Sequence, residues 1–560
     1  MNPKRVIDLL HREIRGLHEA AYLLAFFTLG SQLFALIRDR LLAHSFGAGE
    51  TLDIFYAAFR VPDTLYALLA STVSLFVLIP FIERAERKGR EELRAFISNI
   101  FSFFFVALML LASVLWVSAP YLVSLFYHGF TPSMQEQITM LTRIILLQPL
   151  LLGVSNLLAA YVQVKGRFLL YAVAPILYNI GIILGILFLY PVIGIAGLGW
   201  GVVLGAVFHL GIQVPFILEK KMLPSFVKPK WNLILEVTKI SLPRSLTLST
   251  QQILSLFMLS TISLYAVGSV SSFSFAWNLH TVPLALIGVS YSVAAFPKLA
   301  RLFGSGRMDE YRNLLLVATR QIIFWALPAV VFVIVLRAQI VRVVLGSGEF
   351  GWDATKMTAA VLALLVASLV GQAIIVLLVR ACYAEGKTTP PLVINMVSAL
   401  FTVVLTIGAL QGAAKGFFNI ETFAVFMKVD GVLSPEVLLV ALSYSVGMLV
   451  NALALLLYFE YRFQFFFRGL SVTFFHSLIA SLVGGFGAYL ALNIVNDIVS
   501  LRTVIGVLSQ GVISGFVGAC FWVVALVSLG NKDIIAAWLA LQARLAERPA
   551  GGAPETREVL

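Results

Sequence analysis

The chain is dominated by a succession of apolar runs about twenty residues long, separated by short charged or Gly/Pro-containing breaks, from near residue 22 to residue 529. A helix of about 20 apolar residues matches the hydrocarbon thickness of a bilayer. In lipid, backbone N–H and C=O groups must find partners inside the segment, which a helix provides. Apolar residues make up 60% of the 560 residues and mean hydropathy is +0.95. Soluble domains run at about 45–50% apolar, so too few polar residues remain to cover a soluble core. The reading is an all-α polytopic membrane protein with about 14 transmembrane helices.

Loop charges orient those helices. With residues 1–20 placed inside, 28 of the 40 Lys and Arg fall in inner segments and 6 in outer loops. By the positive-inside rule both termini are cytoplasmic, in a cell inner (plasma) membrane. The net charge of +12 therefore reflects topology and anionic lipid, with no nucleic-acid partner implied. Residues 1–20 carry Val6, Leu9, Leu10, Ile14 and Leu17 at helical spacing, as an amphipathic helix lying on the inner surface would. Cys382 and Cys520 lie far apart in apolar segments and imply no disulfide framework.

The chain also repeats itself. Pro62 opens a helix reaching Pro80 and a basic loop through Gly89-Arg90, and Pro283 opens one reaching Pro297 and a loop through Gly306-Arg307. Pro175-Ile-Leu-Tyr-Asn179 is matched by Pro391-Leu-Val-Ile-Asn395. Pro283 stands 221 residues after Pro62, and Pro391 stands 216 after Pro175. Six spans per unit give both copies the same orientation, a parallel repeat about an axis along the membrane normal. The expected division is an N-lobe over 21–220, a C-lobe over 221–465, two added helices over 466–530, and a cytoplasmic tail over 531–560 that is partly disordered.

Charges threaded into apolar sequence mark candidate sites, because a charge in a bilayer costs a few kcal/mol and usually faces a partner or a watery cavity. Arg38, Asp39, Asp53 and Arg60 concentrate around the Phe46-Gly-Ala-Gly49 turn and Pro62. Arg244, after Pro243, reads as a cavity cation or as an anchor snorkelling to the inner surface. Arg143 reads as a cavity cation or an outer-interface residue. His280 is a packing residue or a titratable element of a proton-coupled cycle. Asn179 and Asn395 either bond between helices or ligate a coupling ion. No HExxH, paired CxxC, GxSxG or P-loop is present, so neither an enzyme nor a metal site is expected. Without a nucleotide site, uphill transport would draw on a Na+ or H+ gradient or on membrane potential; no cofactor is expected.

Several segments resemble the MurJ/MviN family of lipid II flippases, within the wider superfamily of multidrug and oligosaccharidyl-lipid exporters. They are Leu36-Ile-Arg38-Asp39, Phe46-Gly-Ala-Gly49, Asp53 through Pro62, Gly166-Arg-Phe168, Leu242-Pro-Arg244 with Gln251-Gln252, Phe296-Pro-Lys298 and Arg380 through Ala384. The resemblance implies two six-helix lobes opening alternately, a cationic central cavity for a diphosphate-sugar head, and a tail groove lined by the two added helices. It implies as ligand a polyprenyl-diphosphate-linked glycan lipid, with membrane lipids and cell-wall synthesis enzymes as further partners. Arg38 and Asp53 fall where the family keeps functional charges. Gln32 and Asn278 stand where the resemblance leads one to expect Arg. Loss of those charges leaves open another lipid-linked glycan, an amphipathic small molecule, or a non-transporting cell-wall scaffold.

Overall fold

A computed structural model describes residues 17–67, 75–464, 466–499 and 503–531, and every regular element among them is helical. Most of the expected surface helix at 1–20 and the expected tail lie outside the described residues, as does the Arg244 side chain.

The helices in chain order are α1 (Leu17–Phe46), α2 (Glu50–Ala58 with Arg60–Leu65, resuming at Leu75–Arg87), α3 (Arg90–Phe126) and α4 (Pro132–Val164). Then come α5 (Phe168–Ile193), α6 (Ala196–Glu219), α7 (Trp231–Ile262), α8 (Ser269–Gly304) and α9 (Met308–Val344). The chain continues as α10 (Trp352–Val366 with Leu369–Ala384, bent by 47°), α11 (Thr389–Ala414) and α12 (Val437–Phe463). It ends with α13 (Phe466–Asn496) and α14 (Val504–Ser528). The long loop expected before α12 holds one short helix, Ile420–Phe426.

Among the described residues ten helices are long and apolar enough to cross a membrane, or eleven with bent α10 as one span. Three more, α1, α2 and α7, run beside them outside that count, α1 and α2 being described only in part. These three carry Arg38, Asp39, Asp53, Arg60, Asp63, Gln251 and Gln252. These charged and amide groups face other protein groups or a cavity rather than lipid.

Packing in α1–α6 is repeated in α7–α12. The contacts of α1 with α5, α2 with α3 and α4, α3 with α4, and α5 with α6 recur between α7 and α11, α8 and α9 or α10, α9 and α10, and α11 and α12. Both α3 and α9 are 37 residues long. α13 and α14 pack together and against α9. Two expectations about proline need correction. Pro283 does not open a helix but lies inside α8, just before a π-helical turn at Ala285–Val289. Pro62 lies within Arg60–Leu65, before a π-helical turn at Tyr66–Ala67. Proline lacks an N–H and crowds the preceding turn, and in a membrane helix a local widening re-satisfies the freed carbonyls.

Helices α5 and α6 approach closely through small residues, as membrane helices do where apolar burial cannot discriminate protein from lipid. A Cβ on Gly181 would lie 2.2 Å from the Gly205 backbone, so neither neighbour can give. A Gly181→Leu substitution should therefore destabilise the purified protein by about 1–3 kcal/mol or more, the usual penalty of overpacking. Gly412→Leu, with nothing within 4 Å of the added carbon, should leave the melting temperature unchanged.

Candidate functional site

Helices α1, α2, α7 and α8 bring polar residues from both halves of the repeat to one place. Arg38 lies eight residues before the end of α1, about 12 Å along its axis at 1.5 Å per residue. Its guanidinium folds back on its neighbour: Nε and Nη2 donate to Asp39 Oδ1 at 2.9 and 2.7 Å. Nη1 donates to Asn179 Oδ1 of α5 at 3.0 Å. The other Asp39 oxygen accepts from Asn278 Nδ2 of α8 at 3.0 Å. A polar chain thus runs Asn179–Arg38–Asp39–Asn278 and crosses from the first half to the second. Asp39, 2% exposed, is the hinge of that chain, because only it bonds to both sides.

Asp53 makes the second crossing. It sits in the first turn of α2 and is fully buried. Its two carboxylate oxygens accept from the backbone N–H of Gly268 and of Ser271, each at 2.7 Å. The first N–H groups of any helix lack intrahelical partners, and the N-cap of α8 is Gly268, which has no side chain to serve them. Asp53 therefore caps α8 from the other half, its negative charge placed at the positive end of the helix dipole.

Hydrogen bonds to backbone carbonyls close the end of the bundle beyond these crossings, where α1 turns into α2. Glu349 N donates to His44 O at 3.0 Å, and Arg40 Nη1 donates to Val343 O at 2.5 Å. Gly268 (φ 94°) and Gly348 (φ 58°) make this approach feasible: a Cβ would meet Ala48 O at 2.5 Å in one case and His44 O at 2.2 Å in the other. Both also adopt a left-handed conformation that glycine enters without steric cost.

Below the crossings lies a cavity of about 350 Å³, lined by Arg38, Tyr56, Arg60, Asp63, Gln148, Gln251, Gln252, Ser255, Trp277 and Asn278 among others. Arg60 Nη1 donates to Ser255 Oγ of α7 at 3.1 Å. Three buried polar atoms of the lining, Arg60 Nε, Tyr56 Oη and Gln148 Oε1, have no hydrogen-bond partner. An unpaired buried polar group costs about 1–3 kcal/mol, so this wall suits water or a polar ligand. Its guanidinium, amide and hydroxyl groups can serve phosphate oxygens and sugar hydroxyls. The fixed charge is balanced, with Asp39 against Arg38 and Asp63 one turn from Arg60. No group of three metal-ligating side chains occurs among the described residues.

The structure brings together Arg38, Asp39, Arg60, Asn278 and Asn179, with Asp53 just beyond. It does not bring His280 there. That side chain is 1% exposed, its Nε2 3.1 Å from Gln372 Oε1 inside the second half, and it does not line the cavity. Asn395 accepts from Asn451 Nδ2 at 2.9 Å, bonding α11 to α12. Arg143 stacks on Trp116, 4.4 Å from the ring centroid, in an apolar groove between α3 and α4. For Arg244 only the backbone, within α7, is described. Tyr56, Gln148, Tyr178, Ser255 and Trp277 of the lining were not picked out from sequence. Gln148 left a usable signal, an amide inside an apolar run. Tyrosine and tryptophan in such runs are too common at membrane interfaces to be diagnostic.

Comparison with known proteins adds a family. The profile of the family described as Lipid II flippase MurJ matches residues 42–505. A protein of Buchnera aphidicola subsp. Acyrthosiphon pisum named "Probable lipid II flippase MurJ" is 30% identical over 387 residues, covering 68% of this chain and 74% of its own length. One of the same name from Rhizobium meliloti is 26% identical over 408 residues, covering 71% and 76%. The fold is that of a solved structure described as "Lipid II flippase MurJ, inward closed conformation", with a TM-score of 0.71 at 20% identity over 92% of this chain and all of that one. An inward-facing multidrug resistance MATE family transporter of the MOP superfamily aligns with a TM-score of 0.62 at 16% identity, over 78% of this chain and 96% of that one.

Removing the trans cap should loosen the closed end. Asp53→Ala strands two buried N–H groups at about 1–3 kcal/mol each, so hydrogen exchange at the amides of Gly268 and Ser271 should accelerate at least tenfold. Asp53→Asn, which keeps one acceptor oxygen, should fall between the variant and the parent.

Proposed function

The chain belongs to the lipid II flippase MurJ family, and from that membership we propose that it moves an undecaprenyl-diphosphate-linked sugar precursor, most simply lipid II for peptidoglycan synthesis, across the inner membrane by alternating access. The observation that carries this reading is the polar cavity between the two halves, sealed at the α1–α2 end and walled by Arg38, Arg60 and unpaired polar atoms. In the orientation that loop charges support, both termini are cytoplasmic and the sealed end faces outward. The cavity then receives the diphosphate-sugar head from the cytoplasmic side. The two lobes rock about it, and the polyprenyl tail stays in lipid beside α13 and α14. The protein acts as a transporter without catalysis. Its uphill work draws on an ion gradient or membrane potential, with Asn179 and Asn395 as candidate ion-coupling residues and cell-wall synthesis enzymes as candidate partners.

The geometry supports a reversible gate. The crossings at Asp39 and Asp53 are hydrogen bonds that water can replace when the end opens, at a net cost of about 1 kcal/mol each. A seal of buried leucines would resist opening by about 25 cal/mol for every Å² exposed. In an outward-facing state α8's first amides would be hydrated and Arg38 freed to follow the diphosphate.

One observation favours a second cargo. Asp39 engages Arg38, Asp63 accompanies Arg60, and Asn278 brings no charge. A different lipid-linked glycan, less dependent on a strongly cationic cavity, fits that balance. Complementation of bacteria depleted of their own lipid II flippase separates the two. Parent rescue with failure of Arg38→Ala and of Arg60→Gln, at equal membrane expression, is the outcome expected for lipid II. A well-expressed parent that fails to rescue would exclude lipid II and leave the other glycan.

A further inference from the structure

The two halves of the repeat differ at the end opposite the seal. There, α4 turns into α5 through Lys165-Gly166-Arg167, and α10 turns into α11 through Glu385-Gly386-Lys387. The two turns are the same structure. Gly166 and Gly386 have φ of 68° and 71°. Gly166 N donates to Gln163 O and Arg167 N to Val162 O at 2.9 and 3.0 Å; Gly386 N donates to Tyr383 O and Lys387 N to Cys382 O at 3.0 and 2.9 Å.

In the second half this turn carries its own anion. The Glu385 side chain is fully buried, accepts from Arg462 at the end of α12, and lies 3.5 Å from Lys387 Nζ. In the first half the position of Glu385 is held by Lys165, so the internal carboxylate is missing while the cations remain. Arg167 replaces Lys387, and Lys220, just past α6, lines the pocket at this turn as Arg462, near the end of α12, meets Glu385 at the other. What results is a pocket of about 1120 Å³ that also includes Arg90, Glu86 and Glu219. The carboxylates are committed, Glu86 to Lys165 and Glu219 to Lys220. Arg90 donates through Nη2 to Lys220 O, and Arg167 places its guanidinium over the Phe216 ring, each on a partner other than a carboxylate. Two donors of this pocket, Arg167 Nε and Gln163 Nε2, are buried with no hydrogen-bond partner. A buried guanidinium N–H without an acceptor is a costly arrangement, and in the matched turn a carboxylate, that of Glu385, lies beside the corresponding cation Lys387.

We propose that this pocket is a binding site for a phosphate group, presented by an anionic phospholipid of the membrane face, with the phosphate taking the place that the Glu385 carboxylate has in the other half. The pocket lies at helix ends, where a lipid headgroup sits while its chains remain in the bilayer. Guanidinium groups match phosphate oxygens with two donors each. The site is independent of the cavity and of the cargo proposed for it.

Native mass spectrometry of the detergent-purified full chain tests this with phosphatidylglycerol, phosphatidylcholine of the same chains, and inorganic phosphate as competitor. Phosphatidylglycerol should be retained over phosphatidylcholine, and Arg167→Gln should weaken that retention about tenfold, the effect of losing a charge-assisted hydrogen bond. Lys387→Gln, the matched change where an internal carboxylate already fills the site, should leave it unaltered. Displacement of the lipid by inorganic phosphate at millimolar concentration would keep the phosphate site but assign it to the free ion. Equal retention of both lipids, or equal losses in the two variants, would overturn the proposal; an unchanged elution profile of Arg167→Gln on size exclusion shows that the comparison is made on folded protein.

Discussion

The closed state of this protein depends on one carboxylate serving a helix to which it is not connected. α8 begins with a glycine that has no side chain to cap it, and its first amides are buried between the two halves. Asp53 satisfies two of them from α2. A buried amide without a partner and a buried carboxylate without donors are each unfavourable by kilocalories, so each requires the other while the end is sealed. The close backbone approaches at Gly268 and Gly348 follow, because α8 can meet the α1–α2 turn only if its N-terminus is paid for in hydrogen bonds.

That arrangement also explains where polarity sits in the sequence. The charged and amide residues of α1, α2, α4, α7 and α8 line the cavity, with Tyr178 of α5 beside them. Helices surrounded by lipid must be apolar all round, whereas a helix facing a cavity can carry arginine and glutamine on one stripe. The two arginines are nonetheless restrained. Arg38 is held by Asp39 and Asn179, so the anion of the proposed cargo would have to compete with an existing partner. Under the proposed function, ligand binding and opening of the seal would be linked through Arg38.

The internal repeat gives matched environments with different electrostatics. The α4–α5 and α10–α11 turns share their hydrogen bonds and their left-handed glycine, yet one holds Glu385 where the other holds Lys165. Shared backbone and unlike charge indicate that the turn geometry is set by the chain, while occupancy of the site is set by one residue.

The sequence by itself determined the class of structure. Apolar runs about one bilayer long leave helices as the economical way to satisfy the backbone, and the spacing of Pro62 and Pro283 exposed the repeat. It also located Arg38, Asp39, Asp53 and Arg60, since charges in apolar sequence are conspicuous. Tertiary structure alone decided which of these meet. His280 is as conspicuous as Arg60 in the sequence, but α8 turns it toward Gln372 inside its own half, and the apolar runs give no hint of that rotation. Proline was misread as a helix start because local propensity rules come from water, and in lipid a helix keeps going through a π turn. The trans cap of α8 was equally invisible, because it joins residues 215 positions apart. Local sequence states which groups need a partner, and only the packing of distant helices supplies it.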